Sequence, residues 1–205
     1  MKSRHIFFSL LLNFLLRLTI YSQPYEKVTE IRKWLVTENS NLRVNGSTNI
    51  NTFSCQIPAY NNIDTLLIYR FKNSNTLVLK GCISLSVQSF DCKNLIMTHD
   101  LRKTLKAEQY PQLHIYFLSL DKLPDLNSHP ESISGLVDIE IAGVKRRFEV
   151  KYLIREDSPK SVDLLGSRDI NFSDFHLIPP RKLGGMIKTN DKLSVDFHLR
   201  IITTN

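Results

Sequence analysis

The strictest pattern in this chain of 205 residues lies near its C-terminus, where Leu193, Val195, Phe197, Leu199 and Ile201 alternate with Ser194, Asp196, His198 and Arg200. Successive side chains of a strand point to opposite faces, so unbroken alternation of this length calls for a β-strand with one face buried and the other in water. The same period returns twice more. Leu77, Leu79, Ile83, Leu85 and Val87 form a row opposite Lys80, Cys82, Ser84, Ser86 and Gln88, with Gly81 where a bend would suit it. Val137, Ile139 and Ile141 run to a tight turn at Ala142-Gly143 and return as Phe148, Val150, Tyr152 and Ile154, the best hairpin in the sequence. A chain made of such rows buries them by closing one sheet on itself or packing two sheets together.

The rest of the chain fits around these rows. Trp34-Leu35-Val36 reads as the first strand, after a stretch in which Glu26, Glu30 and Lys33 would also suit a helical turn. Leu42 and Val44 alternate with Arg43 and Asn45, Gly46 to Asn49 marks a turn or bulge before Phe53, and Asp64 to Lys72 holds the apolar run Leu66-Leu67-Ile68-Tyr69. Leu113, Ile115 and Phe117 make another inner row, and Asp121 to Pro130 a polar loop. Val162 and Leu164 suggest a short edge strand, and Ser167 to Phe175 a loop or helical turn with Asp169 as its cap. Pro179-Pro180 and Gly184-Gly185 bracket a long connection. The count is about eight strands, spaced as in an antiparallel all-β domain over residues 23–205. Sandwich and barrel share this pattern.

One segment breaks the period. Leu101 and Leu105 fall on one helical face, Lys103 and Lys106 elsewhere, Asp100 could cap the amides after it, and Tyr110-Pro111 would end the helix.

Residues 1–22 read as a secretory signal: Lys2 and Arg4, an apolar run from Ile6 to Ile20, and a cleavage zone at Tyr21-Ser22-Gln23. Asn13 and Arg17 interrupt a run already short of the roughly 20 residues that cross a bilayer, so no stable membrane span is expected. The mature protein would be periplasmic or secreted. Setting Lys2, Arg4 and Arg17 aside lowers the formal charge from +7 to +4. With Lys and Arg scattered among Asp and Glu, no nucleic-acid stripe emerges. In an oxidising compartment the three cysteines allow a disulfide. Cys55 and Cys92 end the matching phrases Phe-Ser-Cys and Phe-Asp-Cys and are the favoured pair, against the alternative of three reduced cysteines.

Motifs of chemistry are missing. The chain has no Gly-rich phosphate loop, no His-Glu-x-x-His, no paired Cys-x-x-Cys and no nucleophile elbow. His99, His114, His129, His176 and His198 lie outside the spacings of short metal motifs, so no metal or other cofactor is expected. Asp91 and Asp100 suit a turn and a helix cap better than a catalytic pair. The expectation is a protein that is not an enzyme.

A family resemblance narrows the choice. Asp91-Cys92-x-Asn94-x-x-Met97-x-x-Asp100-Leu101, followed by Leu105-Lys106-Ala107-x-x-Tyr110-Pro111, resembles the YceI-like family in its Bacteroidetes form. Trp34 before Ser40, Gly46-Ser47-Thr48-Asn49 leading to Phe53-Ser54-Cys55, Gly135 and Gly143 bounding a strand, and Asp174-Phe175 extend the likeness from Trp34 to the C-terminus. The resemblance implies an eight-stranded, antiparallel, lipocalin-like β-barrel with one short inserted helix, of a size that either fills itself or holds one small ligand. It further implies an exported carrier that holds a polyisoprenoid or other long-chain lipid inside the barrel. The candidate wall is the set of inward rows: Leu85, Val87, Ile115, Phe117, Ile139, Phe148, Val150, Tyr152, Val195 and Phe197. His99 and Arg102, beside the helix, are candidates for a head group at the mouth. The alternative is a structural or interaction module whose barrel is filled by its own side chains. A homodimer is open in either case.

Overall fold

The computed structural model describes residues 27–124 and 130–204. The signal expected over residues 1–22 lies outside them, as do residues 125–129 of the polar loop. In order come β1 (Val28–Val36), β2 (Asn41–Thr48), β3 (Thr52–Ile57), β4 (Asp64–Phe71), β5 (Leu77–Ser86), the helix α1 (Leu95–Thr104), β6 (Gln112–Leu120), β7 (Glu131–Ile141), β8 (Val144–Ser158), β9 (Ser161–Asn171), the two-residue β10 (Arg181–Lys182) and β11 (Ile187–Thr204). From Val28 on, the stretch before Trp34 is therefore strand, not a helical turn, and Glu26 lies outside the described residues.

Eight of these strands close a ring in the order β1-β4-β5-β6-β7-β8-β9-β11, and β11 returns to β1 through the pairs from Lys33 opposite Thr204 to Val36 opposite Ile201. All neighbours are antiparallel. The barrel that the alternation left undecided against a sandwich is thus the observed fold. Gly81 stands at a register shift between β5 and β6, where an inner-row residue without Cβ lies close to Leu66 and the backbone of Thr65.

The closure depends on β11, the longest strand at 18 residues. One edge pairs with β9 from Lys192 to Ile202; the other pairs first with β2, between Thr189 and His198, and then with β1. The short link between β1 and β2 is sewn to β11: the Thr37 amide donates to Arg200 O at 2.9 Å, and the Arg200 amide donates to Ser40 Oγ at 2.9 Å. Ser40 is buried because its hydroxyl replaces a ladder partner at the bend.

Beyond the ring, β3 pairs with β2, and its outer edge is held by the chain leaving β5. Gln56 and Asp91 exchange two backbone hydrogen bonds of 2.8 Å, and Cys55 and Cys92 form a disulfide with Cα atoms 3.9 Å apart. A strand edge that would otherwise offer unpaired amides to other chains is covered.

The helix differs from expectation at both ends. Its N-cap is Asn94, whose side chain accepts from the Met97 amide at 3.0 Å, whereas Asp100 lies inside the helix and ion-pairs with Lys182 at 2.5 Å. It stops at Thr104, well before Pro111. Lys106 takes a left-handed conformation (φ 55°), and the Ala107 amide donates to Arg102 O at 2.9 Å, a Schellman ending. Replacing Asn94 by alanine is expected to destabilise the protein by about 1 kcal/mol, read as a shift of the urea midpoint at constant slope. Leu101 and Leu105 are buried on the face expected, and in the chain the helix links the end of β5 to the start of β6.

The segment from Val162 to Phe175 also departs from expectation. It is no short edge strand followed by a loop: β9 spans 11 residues and sits inside the wall between β8 and β11. Asp169 caps nothing and pairs with Lys192. The helical turn is the single 3-10 turn Phe172–Phe175, closed by a capping box between Asn171 and Asp174.

Candidate functional site

The inward rows meet in one apolar lumen. Leu85 from β5, Ile115 and Phe117 from β6, Ile139 from β7, Val150 and Tyr152 from β8, and Val195 and Phe197 from β11 all line it. The other two predicted residues do not. Strand β5 ends at Ser86, so Val87 turns into the 3-10 turn Val87–Ser89 and packs into the core beneath α1. Phe148 lies beyond the lumen, with its ring 6.1 Å from that of Phe175. The 3-10 turn carrying Phe175 folds over this end, and Arg146 grips it by donating from Nε to Asp174 O at 2.9 Å.

The lumen is narrow, with a free volume of about 60 Å³. Aromatic rings occupy much of it. Tyr152 and Phe197 meet edge to face with centroids 5.7 Å apart, and the tip of the Phe197 ring stands where Gly166 has no side chain. Gly166 faces Phe197 directly across the β9–β11 pair, so a Cβ there would overlap the ring. Gly166→Ala is expected to push Phe197 aside and to cost about 1–3 kcal/mol. Urea unfolding with near-ultraviolet circular dichroism would record both effects.

A few polar groups rim the lumen, among them Ser40, Asn41, Tyr60 and Arg168. The Tyr60 hydroxyl donates to the Asp64 carboxylate; burial first, then this bond, pushes its pKa above the usual phenol value. Burial does the same to Tyr152, keeping that hydroxyl protonated inside the barrel. Arg168 is the charged side chain on the lumen's edge, its guanidinium 5.4 Å from the centre of the Phe148 ring. Sequence reasoning missed it, although its place was legible: Val162, Leu164, Gly166, Arg168 and Ile170 form one inward row of β9, and a cation in such a row is out of character. His99 and Arg102 are elsewhere. They share a groove on the outer side of α1, and Arg102 donates to Phe90 O at 2.8 Å.

Two polar clusters sit on the outer wall. Asp163, 1% exposed, accepts from His198 Nε2 at 2.7 Å, Arg155 Nε at 3.1 Å and Arg200 at 3.1 Å. Burial alone would raise its pKa; the hydrogen bonds from His198 and Arg155 and the charge of Arg200 outweigh it and hold the carboxyl below its ordinary value. The second cluster joins Ser84 Oγ to His114 Nδ1 at 2.9 Å, with the free thiol of Cys82 3.9 Å away. Burial pushes that thiol up, so little of it is thiolate at neutral pH. Among the described residues no three of His, Cys, Asp and Glu are placed to hold a metal ion, and no helix is long and apolar enough to cross a membrane.

Neither a protein-family model nor a curated protein matches the sequence. Solved structures match the fold. A polyisoprenoid binding domain from Saccharophagus degradans implicated in plant cell wall breakdown is 13% identical, with a TM-score of 0.59 over 85% of this chain and 100% of that one. BcnA of Burkholderia cenocepacia is 14% identical, with a TM-score of 0.57 over 79% of this chain and 96% of that one. A mutant YCEI protein of Campylobacter jejuni with a monobromobimane guest is 15% identical, with a TM-score of 0.51 over 71% of this chain and 83% of that one. At such identities the likeness establishes the fold, a lipocalin-like barrel of the YceI kind.

Proposed function

We propose that this chain is a YceI-type carrier, exported to the periplasm or beyond the cell, which sequesters a polyisoprenoid or other long-chain lipid in its barrel without catalysing a reaction. The observation that carries the reading is the lumen: an apolar bore through a closed wall, charged only at its edge by Arg168. Each methylene moved from water into such a bore contributes about 0.8 kcal/mol, and Arg168 would meet a polar or anionic head group at the rim. The S. degradans domain, named for polyisoprenoid binding, supports the choice of ligand class. The N-terminal signal pattern and a disulfide between Cys55 and Cys92 support export.

The free volume favours a second reading. About 60 Å³ is far less than a ligand-sized pocket of roughly 300–1,000 Å³, as in a barrel filled by its own side chains and working through its outer face. For a chain to enter, Phe117, Tyr152 and Phe197 must swing out of the bore.

Native mass spectrometry of protein purified without added lipid, followed by organic extraction, separates the two. The carrier reading expects a bound species of isoprenoid or fatty-chain mass. It also expects Val195→Trp, which narrows the bore without burying a charge, to remove that species from a protein whose circular dichroism is unchanged. A clean apo mass, with no uptake of quinones or polyprenyl phosphates, would leave the filled barrel.

A further inference from the structure

Of the seven most exposed large apolar side chains among the described residues, six stand at the helix end of the barrel: Ile50, Leu95, Ile96, Ile178, Leu183 and Met186. Leu95 is 90% exposed and Met186 75%. Three segments bring them together: the β2–β3 turn, the first turn of α1 and the connection around β10. These segments are fastened to one another. Asn49 Nδ2 donates to Met186 O at 2.9 Å, the Lys188 amide donates to Asn49 Oδ1 at 2.8 Å, and Lys182 on β10 pairs with Asp100 of α1. Leu183, Gly184 and Gly185 all have positive φ (49°, 63° and 95°), a tight turn that lifts Leu183 and Met186 to the tip.

Between the segments runs a groove of about 280 Å³ that includes Phe53, Met97 and Phe172. It continues the barrel's inner rows. Along β3 and β9 the rows pass from Ile57 and Ile170 at the lumen to Cys55 and Phe172 at the groove, a step of two residues or about 7 Å. The groove and its apolar rim therefore lie directly beyond the lumen.

Single exposed aliphatic residues are ordinary, but a contiguous set marks a contact surface. Its chemistry selects the partner. The six side chains are aliphatic or thioether, whereas protein hot spots are rich in Trp and Tyr. Lys93, Arg181 and Lys188 flank them; of the nearby acids, Asp100 is neutralised by Lys182, Asp91 accepts from the Lys93 amide, and Asp191 accepts from Ser173. An apolar tip flanked by cations suits a lipid surface whose phosphates meet the cations while the tip enters the interface.

We propose that the helix end of the barrel docks on a bilayer bearing anionic head groups, with Leu95, Ile96, Leu183 and Met186 entering the interface so that this end of the lumen, covered by the Phe172–Phe175 turn, faces lipid. Transfer of lipid between bilayer and lumen rests on the carrier reading; docking alone does not.

The test is flotation of the full chain with phosphatidylcholine vesicles, with and without phosphatidylglycerol, combined with hydrogen exchange of the bound protein. Binding to the anionic vesicles, with new protection of amides 94–97 and 183–188, is expected. The variant Ile96→Ser/Leu183→Ser/Met186→Ser should lose this protection and bind at least about tenfold more weakly. Lys93→Gln/Arg181→Gln/Lys188→Gln should lose the preference for anionic vesicles. Since every variant keeps residues 1–22, the N-terminal apolar run cannot produce these differences. Unchanged exchange at the tip in vesicle-bound protein would overturn the proposal. So would a lipid-free dimer that the serine variant dissociates, since the face would then be a contact between copies. Bound lipid mass separates the two readings: cargo kept with docking lost in the serine variant supports docking as a distinct step, while a wild-type protein that docks but never holds cargo overturns the carrier alone.

Discussion

Asp163→Ala is expected to destabilise the barrel by about 3–5 kcal/mol, which for a chain of this size lowers the melting temperature by roughly 10 °C. The carboxylate is almost fully buried on the outer wall, and it holds together side chains from three strands: Arg155 of β8, and His198 and Arg200 of β11 around its own position on β9. Removing it leaves these groups facing one another, with Asp157 beside Arg200 at 3.2 Å as partial compensation. Asp163→Asn keeps the shape and loses the charge, and should cost about half as much. The pH dependence follows from the sign of the shift. Because the folded-state pKa lies below the ordinary value of 3.8, the stabilisation is complete above that value and is lost as pH falls through the folded pKa. The gap between wild type and Asp163→Ala in urea midpoint should therefore be widest at neutral pH and narrow below pH 3.8. A gap under about 1 kcal/mol at pH 7 would mean that the cluster behaves as a solvated surface network.

The second large effect concerns the bridge from β3 to the chain just before the helix. Cys55 and Cys92 are 37 residues apart in sequence, and the entropy of closing a loop of that length corresponds to about 3–4 kcal/mol. Cys55→Ala/Cys92→Ala should lose that much, and wild type under reductant should unfold at the same urea concentration as the variant. Alkylation in denaturant before reduction should modify Cys82 alone, and after reduction all three cysteines. Three modified residues without reductant would show that the bridge does not form. Loss of the bridge should act locally as well, speeding hydrogen exchange over residues 53–57, whose outer edge would then be held only by the Gln56–Asp91 pair.

The parts of the fold that were legible are those with a two-residue period and a wet outer face. The rows through Leu85, Ile115, Val150 and Phe197 could be read because every second residue falls on the same side of a strand. The errors lie where a partner distant in sequence decides. Asp100 and Asn94 are both cap-forming types; Asn94 takes the role because Asp91 accepts from the Lys93 amide at 2.8 Å and, with Lys93 at φ 57°, turns the chain into the helix there. Asp100 is instead drawn to Lys182. Strand β9 reads from sequence as shorter than it is because Asp163, Gly166 and Arg168 look unlike strand residues. Each is matched from neighbouring strands, Asp163 by its cations, Gly166 by the Phe197 ring and Arg168 by Phe148. Phe148 belongs to an inward row that outruns the lumen, and period alone does not say where a bore ends.

The position of β11 governs the order in which the molecule can be made. Synthesis delivers β1 to β9 first, and until the 18 residues of β11 arrive the ring has a gap flanked by β9 on one side and by β2 and β1 on the other. That intermediate is an open sheet with the edges of β9, β2 and β1 unpaired and its apolar rows uncovered, a form prone to pair with other chains. Closure then requires Ile201 to find Val36, across nearly the whole length of the described chain, a contact of the kind that makes folding slow. Truncation within β11 should accordingly yield no smaller barrel but an aggregating sheet, and the nascent chain stays exposed to such pairing until β11 has emerged.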